Sequence, residues 1–269
     1  SKRFRGLRPN AVVVQGDAAS TFFAALAAFH LKIPIFYVEA GLRTYDLSGP
    51  FPEEGYRQMI TRLAEVCFAP TKTSRKNLIR ENIKSSQIKV VGNTVIDSLK
   101  KISKSLVSIE KNQLLEQKIP QLKRRGKRKL VVVEIHRREN YGESLIQILT
   151  ALLEIQAKHP DYFFVFPVHP SLNIKPLVSK FLKRKEGFLV ISPPDYLTFI
   201  ALLELAVLVI TDSGGLQEEI PMFGIPVMVV REKTERVEGL LAGWSRLVGF
   251  EKDRILDSFE SLKNWQKPT

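Results

Sequence analysis

The sequence has little cysteine, histidine and tryptophan: one Cys, four His and two Trp among 269 residues. A single cysteine excludes an intramolecular disulfide and a metal site built from cysteines, and the apolar run around Cys67 predicts a buried strand residue. The longest apolar run, near residues 200–210, is interrupted by Glu204 and is too short to span a bilayer. The first ten residues lack the apolar segment of a signal peptide, so we expect a soluble cytoplasmic protein.

Positive charge, in contrast, is abundant, with a formal net charge of +13. Two short stretches without acidic residues, 1–10 and 118–129, carry eleven of these thirteen excess charges. The second stretch has no aromatic residue and no apolar helical face, which a nucleic-acid or membrane surface would usually offer. We therefore interpret it as a solvated connector and predict neither a nucleic-acid nor a membrane partner.

Short β-rich runs alternate with amphipathic helical patterns along the chain, which predicts an α/β fold with parallel sheets. Before the basic connector, we predict strands at 11–15, 33–38, 66–69 and 88–91 and helices at 20–31, 53–65, 74–82 and 94–106. After it, we predict strands at 130–135, 163–168, 188–191, 207–211 and 227–230 and helices at 144–158, 196–205 and 216–223.

The alternation restarts after the connector, which favours two Rossmann-like domains. The predicted limits are an N-terminal domain at 1–117, a basic linker at 118–129, a C-terminal domain at 130–258 and a helix remnant at 259–269.

Ligands of open parallel sheets bind beyond the carboxyl ends of the strands. Asp17 and Glu39 each follow a predicted strand, Glu53 begins a predicted helix after Pro52, and His136 follows the strand at 130–135. Clustered carboxylates that face a cleft can divide into one acid and one base. Taken alone, residues in such positions are more often helix caps, surface groups or structural histidines than catalytic groups.

A glycine turn follows the predicted strand at 207–211. Ser213, Gly214 and Gly215 open the next helix, where free backbone N–H groups and the helix dipole attract an anion such as a diphosphate. Ser is also a common helix cap and Gly a common turn residue. Glu218 and Glu219 could reach a ribose, or could complement the helix dipole.

Several short motifs occur in a fixed order from about residue 9 to about residue 250. They are GD at 16–17, VEAGLRT at 38–44, PFPEE at 50–54, FAPT at 68–71, GNTVID at 92–97, HRREN at 136–140, PVHP at 167–170, DSGGLQEE at 212–219 and TER at 234–236. In order and spacing this set resembles the UDP-N-acetylglucosamine 2-epimerases, of the non-hydrolysing bacterial type.

The resemblance implies a GT-B-like fold, in which a nucleotide sugar lies between two Rossmann-like domains, the first of them incomplete in this chain. The implied activity is that of an isomerase that interconverts UDP-GlcNAc and UDP-ManNAc for cell-envelope polysaccharide synthesis. UDP is eliminated to give 2-acetamidoglucal and is then added back after inversion at C2. The resemblance implies no metal and no nicotinamide cofactor, and it implies a homodimer if the first domain is completed.

The resemblance also implies roles for individual residues. The implied catalytic residues are Asp17, Glu39, Glu53 and His136. The implied UDP-binding residues are Phe199 beside the uracil, Ser213, Gly214 and Gly215 at the diphosphate, Glu219 at the ribose, and Arg236. A second, regulatory UDP-GlcNAc is implied at Arg137, His169 and Glu53.

This chain differs from the family's pattern at several positions, of which one lies close to the implied diphosphate site. Family members usually have Thr where this chain has Glu134. The resemblance also begins well inside the family's first domain, so we expect an N-terminally truncated chain. The alternatives are a hydrolysing epimerase that releases ManNAc and UDP, a GT-B glycosyltransferase, and an inactive UDP-binding fragment.

Overall fold

The computed structural model describes residues 2–105, 108–168 and 174–268. The chain divides into two compact units, Ser1–Thr94 and Val95–Thr269. Each unit contains one parallel sheet with its own core.

The first unit contains a sheet of four parallel strands in the order β1-β2-β3-β4. The strands are β1 Val12–Gln15, β2 Ile35–Val38, β3 Val66–Ala69 and β4 Ile88–Val90, and the helices are α1 Lys2–Leu7, α2 Ala19–His30, α3 Glu53–Leu63 and α4 Lys72–Arg80. Strand order follows chain order because each helix carries the chain to the next parallel strand.

Alternate apolar residues of these short strands form the core of the first unit. Val14, Ile35, Tyr37 and Cys67 are all buried in one hydrophobic cluster. The prediction that Cys67 is a buried strand residue is confirmed, and burial raises the pKa of its thiol to about 11.

The second unit contains a sheet of six parallel strands in the order β10-β9-β8-β5-β6-β7. The strands are β5 Lys129–Glu134, β6 Tyr162–Pro167, β7 Phe188–Ile191, β8 Ala206–Thr211, β9 Val227–Val229 and β10 Ser245–Leu247. The helices are α5 Thr94–Ser105, α6 Ser108–Lys118, α7 Glu143–Lys158, α8 Lys175–Leu182, α9 Tyr196–Glu204, α10 Gly214–Glu219, α11 Val237–Leu241 and α12 Lys252–Lys263.

Both faces of the second sheet are covered, which explains why its strands read as continuous apolar runs. Along β5, Leu130 and Val132 belong to one hydrophobic cluster, whereas Val131 and Val133 belong to the other. The polar residues that follow β5 and β8 are thereby held at one edge of a rigid sheet.

The limits of the units differ from the domain limits expected from the sequence. Leu99, Leu115 and Ile119 are buried in the core of the second unit, so the chain joins that core well before residue 118. The basic stretch includes a 3-10 helix at Pro120–Arg125 that packs there through Leu122. The C-terminal helix α12 begins before residue 259 and ends at Lys263.

No helix within the described ranges is long and apolar enough to cross a membrane.

Candidate active site and nucleotide site

Asp17 and Glu39 follow neighbouring strands of the first sheet. Gln15 at the end of β1 lies opposite Val38 at the end of β2, so the two carboxylates start from adjacent points of one sheet edge. A Cβ atom placed on Gly16 would lie 3.6 Å from the Glu39 Oε2 atom. Glu39 itself has a φ of 69°, a conformation that costs energy for a residue with a side chain and that is concentrated at functional sites.

Arg57 on α3 holds Asp17 in place. Its Nη2 atom lies 2.5 Å from Asp17 Oδ2, and its Nη1 atom lies 3.4 Å from Glu54 Oε2. Glu54 is fully buried, and its carboxylate also accepts the backbone N–H groups of Thr44 at 3.1 Å and Tyr45 at 3.2 Å. Glu54 thus anchors the loop before α3, while Arg57 balances the charge of Asp17.

Glu53 differs from Glu54 although the two are adjacent. It is the first residue of α3 and is half-buried. Within the described ranges, we find no hydrogen bond or ion pair to its carboxylate. Residues four apart lie on the same side of a helix, so Glu53 and the Asp17-bound Arg57 share one side of α3.

Tyr37 contacts the same sheet edge from the core of the first unit. Its side chain is fully buried, and its hydroxyl donates to the carbonyl of Gly16 at 3.1 Å. Burial raises the pKa of Tyr37, so the phenol stays protonated and acts as a donor. Sequence reasoning missed both Tyr37 and Arg57, although the spacing of four between Glu53 and Arg57 is a usable signal.

His136 follows β5 in the second unit and lies against Asp212, which follows β8. Asp212 is fully buried, and burial raises the pKa of its carboxyl. It accepts the backbone N–H groups of His136 at 3.1 Å and Arg137 at 2.9 Å and the side chain of Asn140 at 2.8 Å. Asp212 thereby joins the loop after β5 to the end of β8, a role that sequence reasoning missed although Asp212 stands in the DSGG motif.

Glu134, the last residue of β5, pairs with the His136 ring. The Glu134 Oε1 atom lies 2.6 Å from His136 Nδ1. The other oxygen, Oε2, accepts the hydroxyl of Thr211 at 2.9 Å. The hydrogen bond to Glu134 is the main cause that raises the pKa of His136, against the opposing effect of burial.

Glu134, His136 and Asp212 offer three potential metal ligands whose atoms lie within 4.8 Å of one another. However, N–H groups already occupy both oxygens of Asp212, and the hydroxyl of Thr211 occupies one oxygen of Glu134. A cation would have to displace these donors. We therefore interpret the group as a hydrogen-bonded ion pair.

The glycine turn lies at the start of α10. The Ser213 hydroxyl caps the helix by accepting the N–H of Leu216 at 3.5 Å. A Cβ atom on Gly214 would lie 2.8 Å from Glu235 Oε1, so a larger residue at this position would force the Glu235 carboxylate to shift. Gly215 is less restricted, because its nearest contact, Glu219 Oε1, would lie 3.3 Å away.

Two arginines border this turn. Measured from the same Cβ position on Gly214, Arg137 Nη2 lies at 3.6 Å and Arg236 Nε at 3.9 Å. Arg236 also pairs with Glu218 at 2.6 Å. Arg137 Nε is buried and has no hydrogen-bond partner within the described part of the chain. The turn therefore offers positive groups from two directions to an anion.

A buried ion pair supports the segment that carries Arg236. Arg231 is almost fully buried, and its Nη1 atom lies 3.1 Å from Glu235 Oε2. Its Nε atom lies 2.9 Å from Glu139 Oε1. Because Glu235 also packs against Gly214, this pair fixes the distance between the turn and the 234–236 segment.

Glu219 and Phe199 lie on neighbouring helices. Burial, with a smaller contribution from Glu218, raises the pKa of Glu219 to about 7. The charge of Glu219 contributes to the raised pKa of Tyr196, the first residue of α9. Phe199 is half-buried one turn further along α9. The structure thus brings the ends of α9 and α10 together, whereas His169 lies outside the described residues.

The parallel sheets and the glycine turn define an α/β protein of the Rossmann type. The family model described as UDP-N-acetylglucosamine 2-epimerase matches residues 1–268. The chain belongs to this family, whose members are isomerases.

Individual relatives agree with the family match. The UDP-N-acetylglucosamine 2-epimerase of Neisseria meningitidis serogroup A is 41% identical over 261 residues, covering 95% of this chain and 68% of that protein. The enzyme of the same name from Escherichia coli K12 is 42% identical over 256 residues, with the same two coverages. The chain therefore spans about two thirds of the length of these relatives.

The fold agrees with a solved structure. The crystal structure of the Neisseria meningitidis UDP-GlcNAc 2-epimerase bound to UDP-GlcNAc superposes with a TM-score of 0.93 at 40% identity, covering 98% of this chain and 71% of that one. The GT-B-like α/β fold class predicted from the sequence is confirmed.

Proposed function

We propose that this chain interconverts UDP-GlcNAc and UDP-ManNAc without net hydrolysis. In the forward direction a base removes the C2 proton while the bond from C1 to the UDP oxygen breaks, which leaves 2-acetamidoglucal and UDP. Return of a proton to the opposite face of C2 and of UDP to C1 gives the epimer. Since the C2 hydrogen is weakly acidic, the reaction needs a positioned base and a stabilised leaving group.

One observation carries the proposal: Asp17 and Glu39 follow the adjacent ends of β1 and β2 in a chain of this family. The positive φ of Glu39 and the ion pair between Arg57 and Asp17 support the assignment of Asp17 and Glu39 as catalytic carboxylates. Glu53 is the third proposed carboxylate. Within the described ranges its side chain takes no part in the hydrogen bonds that hold Glu54.

The glycine turn supports UDP binding to the second unit. We assign the diphosphate to Ser213, Gly214 and Gly215, with His136 and Arg236 beside it. Glu219 would accept the ribose hydroxyls, and Phe199 would contact the uracil. Two positive side chains at the turn, of which Arg137 has an unpaired buried nitrogen within the described ranges, favour an anionic ligand there.

Further parts of the assignment stay predictions. They are the regulatory UDP-GlcNAc at Arg137, His169 and Glu53, the homodimer, and the cytoplasmic location. The proximity of Arg137 to Gly214 indicates that Arg137 could also contact the UDP at the glycine turn.

Incubation of the protein with UDP-GlcNAc in D₂O, followed by NMR, tests the function. We expect UDP-ManNAc to appear and deuterium to enter C2 of both sugars. Free ManNAc with UDP would instead indicate the hydrolysing reaction. Absence of UDP-ManNAc, 2-acetamidoglucal and free UDP would overturn the enzymatic proposal for this chain.

Variants then distinguish the loss of a catalytic carboxylate from the loss of a negative charge elsewhere in the same unit. We expect Asp17→Asn and Glu39→Gln to abolish deuterium exchange. Glu65→Gln removes an exposed acid from the same unit and should leave the exchange rate unchanged.

A further inference from the structure

Glu134 is held by both of its carboxylate oxygens. Oε1 lies 2.6 Å from His136 Nδ1, and Oε2 accepts the Thr211 hydroxyl at 2.9 Å. Thr211 is fully buried in β8, so the second bond prevents the carboxylate from rotating away from the ring. The side chains of Glu134 and His136 are 19% and 37% exposed, so water screens their interaction only in part.

Among the described residues, charged groups face the His136 ring from β5, from the loop after β8 and from the loop of His136 itself. Glu134 is the nearest, and Asp212 Oδ1 lies 3.4 Å from the same nitrogen, Nδ1. Arg137, the next residue, opposes a positive charge on the ring. Because three N–H groups already share the charge of Asp212, Glu134 is the principal acceptor for the Nδ1 proton.

This contact determines what the second ring nitrogen can do. A neutral imidazole whose proton is on Nδ1 presents a bare lone pair at Nε2, which repels an anion. A protonated ring presents an N–H donor at Nε2.

We propose that Glu134 is a positioning residue that fixes His136 through Nδ1 and keeps the ring protonated at neutral pH, so that Nε2 can donate a hydrogen bond to the diphosphate of the nucleotide sugar. This inference rests on the proposed function, because it takes the diphosphate to bind at the turn formed by residues 213–215. A carboxylate beside an anion site normally weakens anion binding. Here its effect on the histidine outweighs that repulsion near neutral pH.

Titration of His136 in the ligand-free protein is the first test. With ¹⁵N-histidine labelling, the chain gives signals from four histidines, and His136→Gln identifies the one of interest. We expect the titration midpoint of His136 to fall by about one pH unit or more in Glu134→Gln, which keeps the side-chain shape and removes the charge. Glu134→Thr should lower it at least as far. An unchanged midpoint in both variants would overturn the inference.

UDP affinity, measured by calorimetry between pH 5.5 and 8.5, is the second test. The titration of UDP itself cancels in the ratio of the Kd of Glu134→Gln to that of the wild type. We expect this ratio to exceed one near pH 7.5 and to be smaller at pH 5.5, because a lower pH favours the protonated ring in both proteins. The control Glu186→Gln changes an exposed acid and should give a constant ratio near one.

The two proposals can fail separately. UDP binding and epimerisation with a ratio that does not change with pH would overturn the role of Glu134 and leave the proposed function standing. No UDP binding by the wild type at any pH would overturn the diphosphate site, and with it the proposed function.

Discussion

The carboxylate of Glu54 is fully buried and receives four donors: the backbone N–H groups of Thr44 and Tyr45 and the side chains of Arg57 and Gln58. That of Glu53, one residue earlier, receives none within the described ranges. Two neighbouring residues of the same type therefore differ in their contacts: Glu54 holds the loop, whereas Glu53 is the carboxylate that we propose acts on the substrate.

This difference predicts opposite effects for one substitution. Glu54→Gln replaces one acceptor oxygen by an NH₂ donor and removes the charge that faces the buried Arg57, so it should lower the free energy of unfolding by about 3 kcal/mol. Glu53→Gln should change stability by less than about 0.5 kcal/mol but slow epimerisation by about 100-fold or more. Urea unfolding and the NMR assay measure the two quantities. Equal destabilisation by both variants would contradict the assignment.

Glu219 predicts a dependence of stability on pH. Its pKa is raised to about 7 in the folded protein, so the folded state holds this proton more tightly than the unfolded chain. Stability from this group is present below the ordinary pKa of Glu, about 4.3, and is lost as the pH rises through about 7. Glu219→Gln cannot ionise, so it does not lose stability in this way as the pH rises. The Tm of Glu219→Gln minus that of the wild type should therefore increase between pH 5 and pH 8.

The control for this experiment is Glu186→Gln, because Glu186 has a side chain that is 90% exposed. Its difference in Tm from the wild type should not change over the same pH range. A constant difference for Glu219→Gln as well would show that Glu219 titrates normally.

At the scale of elements, the turn before α10 depends on a close approach between a glycine and a buried acid. Gly214→Ala would force Glu235 away from its 2.8 Å approach, and Glu235 is tied to the buried Arg231. We expect this variant to weaken UDP binding about tenfold or more and to lower the Tm. Calorimetry and thermal unfolding measure these effects.

Other helical glycines provide the comparison. Gly215→Ala meets its nearest atom at 3.3 Å and should be milder than Gly214→Ala. Gly55 within α3 has no atom within 4 Å of a Cβ position, so Gly55→Ala should stabilise the protein by about 0.5–1 kcal/mol. Comparable UDP affinity in Gly214→Ala and Gly215→Ala would argue against the role of Glu235.

The elements that sequence patterns predicted are the strands and the helices with a clear apolar period. β1, α2 and β8 lie within about one residue of their predicted limits. The sequence patterns do not predict helix α6, because its charged residues hide Leu114 and Leu115, the neighbouring apolar residues that pack it against the core of the second unit. Because α6 packs on the second core, the second unit begins before the limit predicted from the sequence. Such tertiary packing cannot be read from local periodicity.

At the site, likewise, sequence motifs identify some residues but not the side chains that contact them. Motif order identified the residues that follow strands, such as Asp17 and His136. It could not identify their partners, Arg57 and Glu134. Arg57 lies 40 positions from Asp17, and Glu134 contacts His136 only because the chain turns after β5. Charge balance at the site is therefore a property of the fold.

At the scale of the whole molecule, the two cores are separate, and both tryptophans, Trp244 and Trp265, belong to the second unit. Tryptophan fluorescence therefore reports unfolding of the unit to which we assign UDP. A ligand that binds only the folded state stabilises it by about 2.7 kcal/mol at 100 times its Kd. For a unit of this size, that corresponds to an increase in Tm of about 5–10 °C.

We therefore expect UDP to raise the Tm observed by tryptophan fluorescence, and amide exchange to slow in β8 and α10 more than in β1 and β2. Gly214→Ala provides the control, because a tenfold loss of affinity should remove about half of the shift at the same UDP concentration. The two units need not respond alike, since the turn and its arginines all lie in the second one. Slower exchange in the first unit alone would place the nucleotide on the wrong unit and would contradict the assignment of the glycine turn.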